Sequence, residues 1–279
     1  MRIALTIAGS DPGGGAGIQA DLKTFAAFGV YGASAITAIT VQNTLGVEAV
    51  APLAADLVTA QIEAIDGDLS IDATKIGMLA TAAIVEAVVA AIEELELPLV
   101  VVDPVLVSSG GERLLDAEGV QAMMDELLPR ARVVTPNIPE AEVLSGVRIA
   151  SLDDARTAAR RIHDMGAAAV IITGGHSIAQ GSGPRAESSA PVVVDLLFDG
   201  REFHESRTPR IESRHTHGTG CTFASAVAAG LARGDDLVAA ARRAQRYVGG
   251  AIANAPAIGR GRGPMNHFWE WTQSLEPRT

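Results

Sequence analysis

The chain has 279 residues, 48% of them hydrophobic and 4% aromatic, with a formal charge of -11 and a single cysteine. That acidic balance excludes a nucleic-acid surface built on clustered Lys and Arg, since the short GRGRG near the C-terminus is too small to make one. One Cys cannot close an intramolecular disulfide, so nothing calls for an oxidising compartment, and the cytosol is the expected location.

Abundant Ala and Gly suit close-packed helices on a sheet better than an aromatic binding surface. In chain order, "IALTIA" at 3–8 reads as a first β-strand; the run is too short for a secretory leader and enters a Gly-rich turn rather than a small-x-small cleavage site. Ile18, Leu22 and Phe25 recur at helical spacing, as do Ile84, Val88 and Ile92. Glu86, Glu93 and Glu94 break the second of these stretches, which leaves no uninterrupted membrane-spanning run. Continuous apolar runs follow at "LVVVD" (99–103), "VVT" (133–135), "AVIIT" (169–173) and "VVVDLLF" (192–198), the pattern of strands buried on both faces. Residues 177–191, rich in Ser, Gly and Pro, read as a loop, and "FDGREF" (198–203) as a hairpin turn. Alternating strand and helix predicts an α/β fold with a mostly parallel sheet covered on both sides. No repeat or linker divides residues 1–279, so a single domain is expected.

Ligands of an open parallel sheet gather at the C-terminal ends of its strands, and several polar clusters share that address. "GSDPGGGAGIQADLKTF" follows the first strand; its glycines either let a ligand approach the backbone or make a plain connection, with Asp21 one turn into the helix. Asp103 ends "LVVVD", and Asn137 and Glu140 follow "VVT". Two carboxylates at strand ends can hold Mg2+, as phosphoryl transfer requires, whereas separately they read as helix caps: Asn137 and Glu140 have the spacing of a capping box. In "HTHGTGC" (215–221), Gly218, Thr219 and Gly220 let backbone N–H groups converge at a helix start, where the dipole favours an anion. Cys221 at that positive end is expected to ionise more readily than a free thiol and to serve as a base; otherwise it is a small buried first-turn residue. His176 and His217 lack a third His or Cys at zinc spacing and read as structural and loop-positioning residues.

Seven ordered blocks, "TIAGSDPGGGAGIQADLKTF", "TKIGML", "VVDPV", "TPNIPEAE", "GGH", "THGTGC" and "GRGRGPMNHF", resemble the hydroxymethylpyrimidine and phosphomethylpyrimidine kinases of thiamine synthesis, in the ribokinase-like group. The resemblance runs from residue 3 to about 268 and implies a three-layer α/β/α fold. It implies phosphorylation by ATP, with Mg2+, of 4-amino-5-hydroxymethyl-2-methylpyrimidine and then of its monophosphate. It places Asp21, Gln42 and Met78 in the pyrimidine site with Ala16 and Val105 lining the pocket. It also makes Gly218 to Cys221 the anion hole and base, sets Asp103 and Glu140 near Mg2+ and Asn137 and Thr173 on the nucleotide side, and implies a homodimer without nucleic-acid or membrane partners.

This chain departs from the family pattern twice. Thr173 stands where Lys commonly precedes GGH, and Arg214-His215 stands where Lys-Asn precedes THGTGC. Arg214 either supplies the missing positive charge or is a solvated loop residue. Two other readings remain beside the leading one: a pyridoxal or pyridoxine kinase of the same fold, and a module that binds the pyrimidine without turnover, motivated by Thr173.

Overall fold

A computed structural model describes residues 1–108, 110–174 and 192–275, so His176 and the loop expected at 177–191 lie outside the described residues. In chain order the elements are β1 (Ile3–Ser10), α1 (Gly17–Ala27), β2 (Tyr31–Asn43), β3 (Gly46–Pro52), α2 (Ala55–Asp66), β4 (Ala73–Ile76), α3 (Ala82–Glu94), β5 (Val101–Val102), α4 (Ala117–Ala122), β6 (Val133–Val134), α5 (Ile138–Ser145), α6 (Leu152–Asp164), β7 (Val170–Ile172), β8 (Val192–Phe198), β9 (Phe203–Pro209), α7 (Thr219–Ala232), α8 (Leu237–Ala253) and α9 (Trp269–Leu275).

All nine strands join one sheet in the order β3-β2-β1-β4-β5-β6-β7-β8-β9. The strands β2, β1, β4, β5, β6 and β7 are parallel; β3 and β8 run against them, and β9, antiparallel to β8, runs with them again at the edge. β1 has β2 on one side and β4 on the other, so the chain reverses its direction of winding there, and such a reversal opens a crevice at the strand ends. Successive β1 residues Ala4 to Ala8 are all buried, as a strand covered on both faces demands.

The two covering layers are chemically distinct. On one face, side chains from α2, α3, α5 and α6, such as Ile62, Val88, Leu144 and Ile162, pack on Leu5, Ile7 and Ile76. On the other, α1, α7 and α8 contribute Phe25, Phe223, Val227 and Tyr247 over Ala4, Val101 and Ile171. Each such large side chain contributes about 1.5–3 kcal/mol on full burial. α7 is almost wholly buried and Ala-rich; a Cβ on Gly230 would come within 2.9 Å of Ala240, so small residues are what let α7 and α8 lie so close.

The expected alternation is present; β8 spans its apolar run and β1 extends beyond it, while β5, β6 and β7 are shorter than theirs. The run at 99–103 ladders only at Val101–Val102, because Leu99 has φ 46 and turns the chain before it can pair. "FDGREF" is the β8–β9 turn, with Asp199 accepting from the N–H groups of Arg201 and Glu202 at 2.8 and 2.7 Å.

Candidate active site

The crevice is built from four strand ends and one helix start. β1 leads into the Gly-rich loop, β4 into Gly77 and Met78, β5 into Asp103, β6 into the Asn137 turn, and α7 begins at the Gly218 cap. Gly218 has φ 81, and a Cβ there would run into the Gly15 carbonyl oxygen and lie 3.2 Å from the Ala16 Cα. Only glycine therefore lets the late loop seat against the early one.

Thr222 N–H donates to the Gly218 carbonyl at 2.9 Å and Thr219 N–H to the Thr216 carbonyl at 3.3 Å. Gly220 and Cys221 are then the first-turn N–H groups without a backbone acceptor among the described residues, at the positive end of the α7 dipole. Thr219 itself is held by its hydroxyl, which donates to the Thr216 carbonyl at 2.7 Å. Gly220 is exposed, and a Cβ there would meet the two oxygens of the Asp103 carboxylate at 3.7 and 3.9 Å. The helix start and the acidic strand end thus share one crevice.

Asp103 is 3% exposed, and its Oδ2 is buried without a hydrogen-bond partner among the described residues. The nearest charge is the Lys75 ammonium at 3.9 Å. Burial pushes the Asp103 carboxyl up, against the pull of Lys75 and with Asp21 adding to the rise. Glu140 is buried too and is pushed up to about 8 by burial and then by the Asp103 charge. Two buried carboxyls that resist joint ionisation, one with an orphan oxygen, make a donor set whose chemistry fits a cation. Among the described residues no three His, Cys, Asp or Glu gather as an all-protein cage. The pair suits a divalent ion that keeps waters and takes further oxygens from phosphates. The capping box is equally real: Asn137 N–H donates to Glu140 Oε2 at 2.9 Å and Glu140 N–H to Asn137 Oδ1 at 3.0 Å. Glu140 thus caps the helix and also accepts from the Leu106 backbone N–H, so of the two carboxyls it is Asp103 that offers an unpartnered oxygen.

Cys221 corrects its expectation. It is half-buried with its thiol toward Asp103; burial pushes the thiol well above its ordinary range, the carboxylates of Asp103 and Asp21 add to the rise, and Lys75 opposes it. The helix end does not override that environment, so the thiol is protonated in the unliganded site.

Asp21 also moves. Its carboxylate has no exposed surface: Oδ2 accepts from Thr6 Oγ1 at 2.6 Å and Lys75 Nζ at 3.0 Å, and Oδ1 from Ser225 Oγ at 2.6 Å. It therefore ties α1, β1, β4 and α7 together beneath the crevice rather than lining a pocket. Burial works against the charge on Lys75, yet Asp21, Cys221 and Asp103 hold its pKa above the usual value. Lys75 had a legible signal in "TKI", a lone cation inside a buried strand, which demands an anionic partner.

The Gly-rich loop follows the plainer of its two readings, a connection. Its amides are turned inward: Asp11 accepts from Gly13, Gly15 and Ala16 N–H at 2.8, 3.0 and 2.9 Å. Burial opposes the Asp11 charge, but His217 and these amides hold its carboxyl below the usual range. Ala16 caps α1 and lies against Gly218. Met78 packs with Ala38 and Ala80, with Val50, Val105 and Leu114 alongside, so Met78 and Val105 do share an apolar wall. Gln42 stands at its polar border, its amide 3.2 Å from both His217 Nε2 and Thr40 Oγ1. Thr173 bridges to Asn137 at the ends of β6 and β7, its N–H donating to the Pro136 carbonyl at 2.9 Å. Arg214 is exposed and donates to His215 Nε2 at 3.3 Å, so nothing directs it toward the crevice.

Comparison with known proteins follows this geometry. Residues 11–266 match the family model for phosphomethylpyrimidine kinase. A hydroxymethylpyrimidine/phosphomethylpyrimidine kinase of Bacillus subtilis is 49% identical over 265 residues, covering 95% of this chain and 94% of that protein. A bifunctional thiamine biosynthesis protein of Geobacter sulfurreducens is 49% identical over 264 residues, or 95% of this chain, which spans only 52% of that longer protein. Among solved structures, an ADP complex of Bacillus subtilis pyridoxal kinase superposes with a TM-score of 0.86 at 38% identity, covering 98% of this chain and 99% of that one.

Proposed function

The chain belongs to the phosphomethylpyrimidine kinase family, and on that premise we propose that it transfers the γ-phosphoryl group of ATP to 4-amino-5-hydroxymethyl-2-methylpyrimidine and then to the monophosphate so formed. The observation that carries this reading is the meeting of the α7 start with the Asp103 carboxylate, 3.7 Å from the position of a Gly220 Cβ. Phosphoryl transfer asks mainly for positioning and charge stabilisation, and both are on hand.

In this reading the open N–H groups of Gly220 and Cys221 hold the migrating phosphoryl oxygens. Asp103, through its unpartnered oxygen, and Glu140 would hold Mg2+, which when bound neutralises phosphate charge. Met78 and Val105 give the ring an apolar wall, and the Gln42 amide meets its polar edge. Cys221 serves as base only after its own proton has left to solvent on substrate binding; the thiolate then accepts the hydroxyl proton late, since in a loose transfer the alcohol becomes strongly acidic only as its new bond to phosphorus forms. Asn137 and Thr173 border the nucleotide side, and Asp21 acts from beneath through Lys75 and Ser225.

The direct test is product identification with ATP, Mg2+ and the hydroxymethylpyrimidine: successive mono- and diphosphate are expected, and the absence of both overturns the reading. Pyridoxal phosphorylation is the second reading, favoured by the fold similarity to pyridoxal kinase, and side-by-side kcat/KM values separate the two. Binding without turnover gains nothing from Thr173, because the helix start and carboxylates are intact. No described helix is long and apolar enough to cross a membrane, and we place the chain in the cytoplasm. Ile39, Val41 and Leu45, exposed on β2 and its turn, fit self-association as a dimer, which light scattering checks.

A further inference from the structure

His217 Nε2 lies 3.0 Å from Asp11 Oδ2 and 3.2 Å from the Gln42 amide nitrogen. Those two contacts make opposite demands on one ring atom. Asp11 already accepts three backbone N–H groups and, as a carboxylate, can only accept, so the His217 nitrogen facing it carries the proton. A nitrogen that donates to Asp11 has no lone pair left for an amide N–H of Gln42. The amide oxygen and nitrogen are alike in outline, and their assignment follows from the hydrogen-bond network. Exchanging them satisfies every partner: His217 Nε2–H is shared between Asp11 Oδ2 and Gln42 Oε1, and the Gln42 amide donates to Thr40 Oγ1.

Thr40 supports the exchange independently. Its hydroxyl has one proton and lies 2.9 Å from the Ser10 carbonyl and 3.2 Å from the other end of the Gln42 amide. Were that end the oxygen, two acceptors would compete for one proton. As a nitrogen it donates to Thr40, whose own proton goes to Ser10.

We propose that His217 is a specificity-determining positioning residue, whose proton, shared with Asp11, pins the Gln42 amide in one orientation so that the site reads an amino ring edge and rejects an oxo one. A 4-amino pyrimidine presents a donor beside a ring acceptor; its 4-oxo counterpart presents an acceptor beside a ring N–H, the reverse order. A pinned amide, oxygen at one end and N–H at the other, complements only the first. A free amide rotates and accommodates both. The inference rests on the reading of Gln42 as the residue that meets the ring edge.

The test compares kcat/KM for the 4-amino hydroxymethylpyrimidine and its 4-oxo counterpart in wild type, His217→Leu, His217→Gln and Thr40→Val. Loss of the pin in His217→Leu is expected to lower the amino-over-oxo ratio by at least about tenfold, through a higher KM for the amino ring and gained turnover of the oxo ring. His217→Gln, which returns an amide donor at similar reach, restores the ratio; a merely structural role predicts no such split. Thr40→Val frees the other end and shifts the ratio the same way, so it decides the matter if His217→Leu does not fold. An unchanged ratio in folded, active variants overturns the proposal alone, whereas wild type that phosphorylates neither ring overturns the functional reading beneath it.

Discussion

Lys75→Met removes the one cation in the buried cluster beneath the crevice while keeping the side chain's length. Lys75 has no exposed surface, donates to Asp21 at 3.0 Å and stands 3.9 Å from Asp103. Without it, Asp21 keeps only the hydroxyl donors Thr6 and Ser225, and two buried carboxylates face each other uncompensated. Breaking one side of such a pair costs about 3–5 kcal/mol, a large part of the roughly 5–15 kcal/mol that holds a domain folded. With a urea slope near about 3 kcal/mol per M, the unfolding midpoint falls by roughly 1–2 M. Adding Asp21→Asn removes the stranded charge, keeping an acceptor for one of the Thr6 and Ser225 hydroxyls and offering the other an N–H to accept from, so the double variant should recover about 2 kcal/mol or more. Urea melts followed by circular dichroism supply both numbers. A single variant that loses under about 1 kcal/mol, or a double variant no better than the single, refutes the account of Lys75 as the charge that makes this burial tolerable.

Gly218→Ala strains a φ of 81 and drives a methyl into the Gly15 carbonyl, so kcat should fall by roughly a hundredfold as the anion hole shifts, with wild-type turnover counting against that placement. Cys221, its thiol pushed up by burial, should react with iodoacetamide at pH 8 far more slowly than a free thiol, as mass spectrometry of the modified peptide would show. Glu140, at about 8 when folded against 4.5 unfolded, holds a proton that the unfolded chain releases, so its ionisation penalty is absent below pH 4.5 and complete above about 8. Unliganded stability should therefore decline across that window, and binding of Mg2+ with nucleotide near pH 7 should release a proton. Calorimetry in buffers of differing ionisation enthalpy measures that release; Glu140→Gln, which keeps a capping-box residue, should abolish it.

Much of the architecture was legible because it rests on local pattern. The apolar runs at β1 and β8, the helical spacing of Ile84, Val88 and Ile92, and the Asp-Gly turn each act within a few residues. β2 escaped because "YGASAITAITVQN" is rich in Ala and Gly, and long-range pairing with β1 and β3 makes it a strand. In the site, the glycines at 218 and 220 and the acids at 103 and 140 follow from backbone geometry and strand ends, so their convergence could be anticipated. What could not be read was which polar group is consumed internally. Asp21 and the amides of the Gly-rich loop look available in a linear string, yet their partners Ser225 and His217 are 204 and 206 positions from Asp21 and Asp11. Cys221 failed for the same reason: a helix end is local, whereas the burial that overrides it is set by the tertiary fold.

Those separations also set a clock on biosynthesis. A ribosome adding about 5–20 residues per second needs roughly 10–40 s to travel from Asp11 to His217. Throughout that interval the Asp11 carboxylate lacks its imidazole partner and Asp21 lacks the Ser225 hydroxyl. On the proposed reading a nascent chain therefore lacks the helix start that would cradle a nucleotide's phosphates until translation has passed α7, however early the first strands pair, and catalytic capacity would arrive together with the closing of the fold.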